Sequence, residues 1–497
     1  MNKLRELFSD TVIYGLSSVL ARFFNYLLVP FHTGVFASSA YGVVSLVYSA
    51  IAFLNVLFTF GMESAYFRYA EDRKTSSSVY KTIQIALLGF ASALVLMLWL
   101  GKPLFMPLMS LAESHAEIYL LMLGILWFDT LSIVPFAELR LARRAWLYAT
   151  LRIVHVIVNV ALNFYLILSA GFGIEAVFLA NLVATVLVSL LVWWVTRDSW
   201  SGEYDGGVLK TCLQFGWPFV FSGFGHVTNE MLDRFFLNSM DESTIFNLYG
   251  ASLTPEDIVG IYSACYKLAV FMLLLVQMFR MAWQPFFMRH YKDRNSSKLF
   301  GQAFIWFNGF SGIVFLLVAL FREQIVRIHV PILNRPIIDS DYWAGLDIVP
   351  LLLLAYWFYG WYINFSSGVF IKEKTKVLYK ITLSGAAITV VSNILLIPWL
   401  GMYGAAVATL LSYTVMALLL GNYSRRVMYV PYRLPESFTL VLFLGGIVFL
   451  ESFLSNLAGN MYAKIVLLGI GLAALAIYLY KLVDTQIDSD TSNPGAA

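Results

Sequence analysis

The chain predicts an all-α, polytopic membrane protein with about fourteen transmembrane helices, and three observations predict it. Hydrophobic residues make up 60% of the 497 positions and charged residues only 13%. With a mean hydropathy of +0.75, the composition lies far from that of soluble globular chains. Apolar runs of about 20 residues, the length that crosses a bilayer core, follow one another almost without interruption. Lysine and arginine concentrate in alternate connections between those runs, as they do when basic loops stay on one side of a membrane.

The runs fall at roughly 10–33, 40–62, 81–101, 116–138, 147–169, 174–197, 211–238, 257–280, 298–321, 345–367, 377–399, 401–424, 437–457 and 462–483. Lys3 and Arg5 precede the first run as they would in a signal peptide. The run is too long for one and holds Arg22, so a retained helix is expected. Placing the N-terminus in the cytoplasm puts 23 of the 33 Lys and Arg residues in inner segments and five in outer ones. Both termini are then cytoplasmic. The remaining five, Arg22, Arg152, Arg234, Lys267 and Arg280, fall inside helices, where a charge is expensive and marks function.

Several function classes are excluded by what the chain lacks. A net charge of +3 offers no basis for a nucleic-acid partner. Two cysteines, Cys212 and Cys265, make neither a disulfide framework nor a thiolate metal site, and six histidines show no metal-ligand spacing. No glycine-rich loop ends in Lys-Ser/Thr to cradle a nucleotide. No cofactor and no metal are therefore expected.

The chain repeats itself. NFYLILSAGFGIEAV (163–177) and NILLIPWLGMYGAAV (393–407) share Asn163/Asn393, Leu166/Leu396, Ile167/Ile397, Gly171/Gly401, Ala176/Ala406 and Val177/Val407 without a gap. A weaker echo links YGVVSLVYSAIAF (41–53) with VGIYSACYKLAVF (259–271). Helices 5 and 6 thus match 11 and 12, and 2 matches 8, which predicts two six-helix lobes around a central cavity. Six is even, so the lobes insert in the same orientation, related by an axis along the membrane normal. The expected divisions are 1–200, 201–425, and a 426–497 segment with two additional helices and a cytoplasmic tail. Two such lobes suit a transporter that opens alternately to either side.

Depth then ranks the polar residues. At about 1.5 Å per residue, Arg22 lies roughly 18 Å beyond Asp10 and Lys267 roughly 15 Å beyond Asp257, both near mid-bilayer. In the fifth helix Arg152, His155, Asn159 and Asn163 are spaced 3, 4 and 4 apart, on one face. Interhelical hydrogen bonds and a cavity wall explain that stripe equally well. Asn25 is one turn from Arg22. Asp129 is the deepest acid, six residues before a kink expected at Pro135. It is a candidate proton- or cation-coupling group, and the rival reading, a counter-ion for Arg22 or Lys267, is compatible with it. At the end of the seventh run, EMLDRFFLNSM (230–240) sets Glu230 and Arg234 one turn apart in the favourable order for an ion pair. Asp233, about 100° away, is left to look to another helix, which suits an outer gate.

GMESAYFRYAEDRK (61–74), LDRFFLNSM (232–240), VGIYSACYKLAVFMLLLVQMFRMAWQPFF (259–287) and NILLIPWLGMYGAAVATLLSY (393–413) resemble the oligosaccharide flippases, the Wzx-like polysaccharide exporters of the multidrug/oligosaccharidyl-lipid/polysaccharide (MOP) exporter superfamily. The resemblance spans residues 10 to about 425. It implies a monomeric, multi-pass protein of the bacterial inner membrane, free of enzymatic activity. Such a protein passes a polyprenyl-pyrophosphate-linked oligosaccharide to the outer leaflet for surface polysaccharide or lipopolysaccharide synthesis. Its partners would be the lipid-linked substrate, membrane lipids and other polysaccharide-assembly proteins, and its energy source a proton or sodium gradient. A pyrophosphate needs cations, so Arg22 and Lys267 are the expected ligands. Asn25, Arg152, His155, Asn159 and Asn163 are the expected sugar-facing wall, and Asp129, Glu230, Asp233 and Arg234 the coupling or gate residues. A multidrug exporter of the same superfamily is the first alternative, although two deep cations against one acid favour an anionic substrate. A polytopic polymerase or ligase is the second, although the longest outer loop, 322–344, shows no nucleophile and base.

Overall fold

The computed structural model describes residues 28–71, 76–331, 333–454 and 461–491. Twelve helices among them are long and apolar enough to cross a membrane, and the chain is a multi-pass all-α membrane protein. Each of the twelve coincides with an expected run. The count of about fourteen is not confirmed. The first run lies outside the described residues up to its last turns, α1 (Leu28–Val35). The seventh is present as the 33-residue α9 (Gly206–Asn238), but it is not among the twelve, because Gln214, Pro218, His226, five glycines and the charges at 230–234 dilute its apolar character.

Two compact units divide the chain, Met1–Gly260 and Ile261–Ala497. In the first, α2 (Ser38–Thr59), α3 (Met62–Tyr69), α4 (Ser76–Leu100), α5 (Lys102–Leu108), α6 (Ala116–Leu141), α7 (Ala145–Phe164), α8 (Glu175–Val195), α9 and α10 (Glu242–Tyr249) follow α1. Helix α6 is the hub and packs on α2, α3, α4, α7 and α8. The helix continues past Pro135, which cannot donate to the Leu131 carbonyl one turn back. That carbonyl instead accepts the Gln84 Nε2–H at 2.6 Å and the Trp193 indole N–H at 3.1 Å, so the freed acceptor ties α6 to both neighbours. Helices α2 and α3 are separated by Phe60 and Gly61, both left-handed (φ 46° and 68°). A Cβ on Gly61 would stand 2.6 Å from the Gly216 carbonyl of α9. Glycine serves both the turn and the approach.

The second unit holds most of α11 (Pro255–His290), then α12 (Ser296–Leu320), α13 (Arg322–Arg327), a two-stranded hairpin of β1 (His329–Val330) and β2 (Arg335–Pro336), α14 (Val349–Ile371), α15 (Lys376–Leu400), α16 (Met402–Val427), α17 (Leu434–Leu454) and α18 (Met461–Thr491). Helix α14 is apolar and aromatic around its whole circumference and is buried along almost all its length, as a central helix must be. It packs on α12 and α16. The buried Asn308 Oδ1 accepts both the Trp357 and Trp361 indole N–H groups, at 2.9 and 2.8 Å. Helices α17 and α18 dock on α12, and their contact with its far end is ionic. Glu451 accepts a 2.9 Å charge-assisted bond from Arg322 and pairs with Lys464 at 3.1 Å, all three side chains being 3–5% exposed.

The internal repeat is written into the backbone. Arg143 and Glu373 are both left-handed (φ 56° and 55°), and the bonds Arg144 N→Leu139 O (2.8 Å) and Lys374 N→Val369 O (2.9 Å) close the same turn. These positions are offset by the same interval as Asn163/Asn393. Gly171 and Gly401 also share a positive φ (72° and 54°). Both asparagines are buried.

Candidate functional site

The stripe predicted on the fifth helix divides by function once its partners are in place. Asn163 Nδ2 donates to the Asn159 carbonyl (2.9 Å) and Oδ1 (3.0 Å), and Asn163 Oδ1 meets His32 Nε2 at 2.9 Å. All three residues are buried, so this half of the stripe joins α7 to α1. His155 Nε2 lies 3.1 Å from Thr185 Oγ1, which donates to Asn181 Oδ1 (3.4 Å), whose Nδ2 donates to the Tyr48 hydroxyl (3.3 Å). A polar relay thus crosses three helices, α7, α8 and α2. Arg152 is exposed, with its guanidinium 4.1 Å from the Phe136 ring centroid and 5.5 Å from that of Tyr148, both within cation–π range.

Asp129 is half-buried on α6 and belongs to this neighbourhood. Arg152's charge reaches both its carboxylate and the His155 ring, while Asp129's own charge reaches Tyr48. Among the described residues no hydrogen bond or ion pair is made to that carboxylate. Arg22, expected as its counter-ion, lies outside the described residues, as does Asn25. The structure therefore gathers Asp129, Arg152 and His155 with Tyr48, Asn181 and Thr185. Sequence reasoning missed the last three. The signal was present, since Asn181, Thr185 and Ser189 repeat every four residues on α8 and stack on one face.

At 230–234 the expected pairing is corrected. Arg234 Nη1 binds Asp233 Oδ1 at 2.6 Å, and the Asp233 carboxylate also accepts the Arg234 backbone N–H at 2.9 Å. What Arg234 takes from Glu230 is the backbone carbonyl, at 2.5 Å. Helical side chains lean toward the N-terminus, so the long arginine folds back one turn. There it reaches a carbonyl and its neighbour's carboxylate together. Asp233 and Arg234 are 2% and 5% exposed, and Arg234's charge reaches Tyr41 of α2.

Helices α2 and α9 pack against each other. Ser49 meets Met231 Sδ at 3.8 Å, Phe53 faces Phe224 and Phe235, and Val56 sits against Gly223. At the start of α2, Ser38 Oγ donates to Asp257 at 2.5 Å. A Cβ on Gly42 would collide with the Glu256 carbonyl and one on Gly260 with the Ser38 carbonyl, so these two backbones are in direct contact. The second repeat pair, Gly42/Gly260, is this crossing.

In the second unit, Lys267 is partly buried on α11 and engaged with its surroundings. Arg280 is exposed, and its charge reaches the Tyr362 hydroxyl. Tyr266 and Tyr356 share a 2.5 Å hydrogen bond between hydroxyls. Ring contacts continue from Tyr356 to Tyr413, Tyr359 and Tyr362, an aromatic ladder that the apolar runs concealed.

Residues 7–291, more than half of the chain, match the family described as polysaccharide biosynthesis protein. No curated protein sequence matches the chain. Among solved structures, the lipid II flippase MurJ in an inward closed conformation is similar at a TM-score of 0.69 and 14% identity, over 96% of this chain and 100% of that one. An inward-facing multidrug resistance MATE family transporter of the MOP superfamily is similar at 0.61 and 17%, over 84% and 94%. A MOP superfamily transporter from Pyrococcus furiosus, described as having a binding pocket of reverse polarity, is similar at 0.54 and 17%, over 85% and 94%. The chain shares the fold of these three structures.

Proposed function

Because the chain belongs to the polysaccharide biosynthesis protein family, we propose that it is a transporter of that superfamily, and that its cargo is a polyprenyl-pyrophosphate-linked oligosaccharide. It carries the cargo from the cytoplasmic to the outer leaflet of the bacterial inner membrane by alternating access, with both its termini in the cytoplasm. The observation that carries this reading is the polar cluster on otherwise apolar helices: Asp129, Arg152, His155, Thr185, Asn181 and Tyr48 come together in the first unit. Lipid gives no reason to keep such groups at that depth, and a polar cargo does.

In this reading Arg22 and Lys267 bind the pyrophosphate, with Asn25 beside Arg22. Arg152 and His155 offer a polar wall to the sugars, while Asn159 and Asn163 hold the helices in place. Asp129 exchanges its cationic neighbour for a proton or sodium ion, which couples the cycle to a gradient. The buried Asp233–Arg234 pair, with Glu230, secures the outer closure. The chain performs no covalent chemistry. Deleting the gene should abolish the surface glycan and leave the lipid-linked precursor to accumulate, and the wild-type chain should restore both. An unchanged glycan after deletion would oppose the reading. The likeness to a multidrug transporter fold favours a second reading, drug export, in which deletion would sensitise cells to cationic drugs and leave the glycan intact.

A further inference from the structure

The end of the second unit opposite the Arg322–Glu451–Lys464 cluster carries a concentration of charge that transport does not use. Lys372, Lys374, Lys376 and Lys380 flank the turn between α14 and α15, and Arg425 and Arg426 close α16. All six are exposed. Among the described residues none of their side chains has an ion pair or hydrogen bond. Against these six cations stands one carboxylate, Glu373. The local excess is larger than the +3 of the whole chain. Two nearby or comparable cations are paired: Arg433 with Glu436 at 3.8 Å, and Arg140, near the end of α6 in the first unit, with Glu63 at 2.9 Å.

The two basic segments form one surface. Gly368 lies so close to α16 that a Cβ would be 2.9 Å from Ser424 Oγ and 3.2 Å from Met428 Cβ. Lys372 follows Gly368 by one turn, its N–H bonded to the Gly368 carbonyl at 3.2 Å, and Arg425 follows Ser424 directly. The left-handed Glu373 and the Lys374 N→Val369 O bond fix the turn. The rim is aromatic: Tyr379 is 39% and Tyr429 71% exposed. Beyond it, the outward strips of α15 (Val391, Ile394, Leu395, Trp399) and α16 (Leu411, Leu418) are apolar and exposed. Cations beside tyrosines at the edge of an apolar belt stand at the headgroup level of a bilayer.

We propose that this surface binds the headgroup of an anionic phospholipid, whose acyl chains lie along the exposed strips of α15 and α16. Charge complementarity selects the headgroup, and long lysine and arginine stems let the charges reach it while their methylenes stay on the apolar rim. The residues of this surface are none of those in the polar cluster of the first unit, and the proposal stands whether or not the transport reading holds.

The test is native mass spectrometry of the full chain in detergent, titrated with phosphatidylglycerol or phosphatidylcholine. Wild type should retain phosphatidylglycerol at least tenfold better than phosphatidylcholine. Lys372→Gln/Lys374→Gln/Arg425→Gln/Arg426→Gln should lose that preference, while Lys102→Gln/Arg335→Gln should keep it. The two halves of the quadruple variant, made separately, should each lose part of it, which guards against a misfolded quadruple. Equal retention of the two lipids by wild type, or full retention of phosphatidylglycerol by the quadruple variant, would overturn the proposal. Binding of a polyglutamate peptide without binding of phosphatidylglycerol would also overturn it and assign the surface to an acidic protein.

Discussion

Replacing Glu451 with glutamine should loosen α17 and α18 from the rest of the second unit, and the cost follows from the geometry. The carboxylate faces two cations, Arg322 at 2.9 Å and Lys464 at 3.1 Å, that are 3% and 5% exposed. Glutamine keeps the volume and removes the charge. Arg322 then retains Asp347 at 2.8 Å and Lys464 retains Glu323 at 3.8 Å, but those acids are 59% and 44% exposed, where water weakens the attraction. Removing one partner of a buried pair costs about 3–5 kcal/mol, and the retained acids place this case near the lower end. In a unit of this size about 1 kcal/mol moves the midpoint by 2–4 °C, so the unfolding midpoint should fall by roughly 6–12 °C. Fluorescence-detected size-exclusion of heated, detergent-purified protein measures it. The apolar triple variant Arg322→Met/Glu451→Leu/Lys464→Met should recover most of the loss, since no buried charge is then left alone. A Glu451→Gln midpoint equal to that of wild type would refute the reasoning.

Three further outcomes are expected. Arg22→Ala and Lys267→Ala should each abolish surface glycan at normal protein abundance, with Arg22→Lys partly tolerated because charge survives while bidentate geometry is lost; wild-type glycan in both alanine variants would remove them from the site. Asp233→Asn should leave Arg234 without its 2.6 Å partner and release the α2–α9 seam. Ser49→Cys, in a background without Cys212 and Cys265, should then react faster with an impermeant thiol reagent, and an unchanged rate would place the gate elsewhere. Asp241 caps α10, accepting from the Ser243 hydroxyl and from Thr244 N–H and Oγ1–H, and these bonds lower its pKa from 3.8 to about 2. A depressed acid stabilises above its unfolded value and loses that contribution as pH falls toward about 2, so the hydrogen-exchange protection factors of α10, corrected for the intrinsic rate, should fall between pH 4 and about 2. Asp241→Asn should show no such dependence.

Twelve apolar runs were read correctly because lipid imposes one simple rule, length and hydrophobicity, on every spanning helix. The polar stripe at 152–163 was legible for the same reason, since helical spacing alone puts its members on one face. The identity of the partners was not legible. His32 lies 131 positions from Asn163, and no local pattern predicts which of several polar helices will face it. The pair at 230–234 failed for a different reason. Spacing ranks Cβ positions, and a side chain as long as arginine reaches a carbonyl and an adjacent carboxylate that the wheel sets apart. Glu451 and Lys464 were hidden among apolar residues near two helix ends, and only the docking of α17 and α18 on α12 joins them to Arg322. Pro135 announced a freed carbonyl, and Gln84 and Trp193 were needed to show where it goes.

Transport itself is tested most directly in sealed proteoliposomes that hold the purified chain and a polyprenyl-pyrophosphate-linked oligosaccharide, with an external lectin reporting substrate that reaches the opposite leaflet. Without ATP, an imposed proton or sodium gradient should raise the rate at least tenfold over protein-free vesicles, and Asp129→Asn should remove that response. A rate equal to that of protein-free vesicles under every gradient, or one that appears only when ATP is added, would contradict the account.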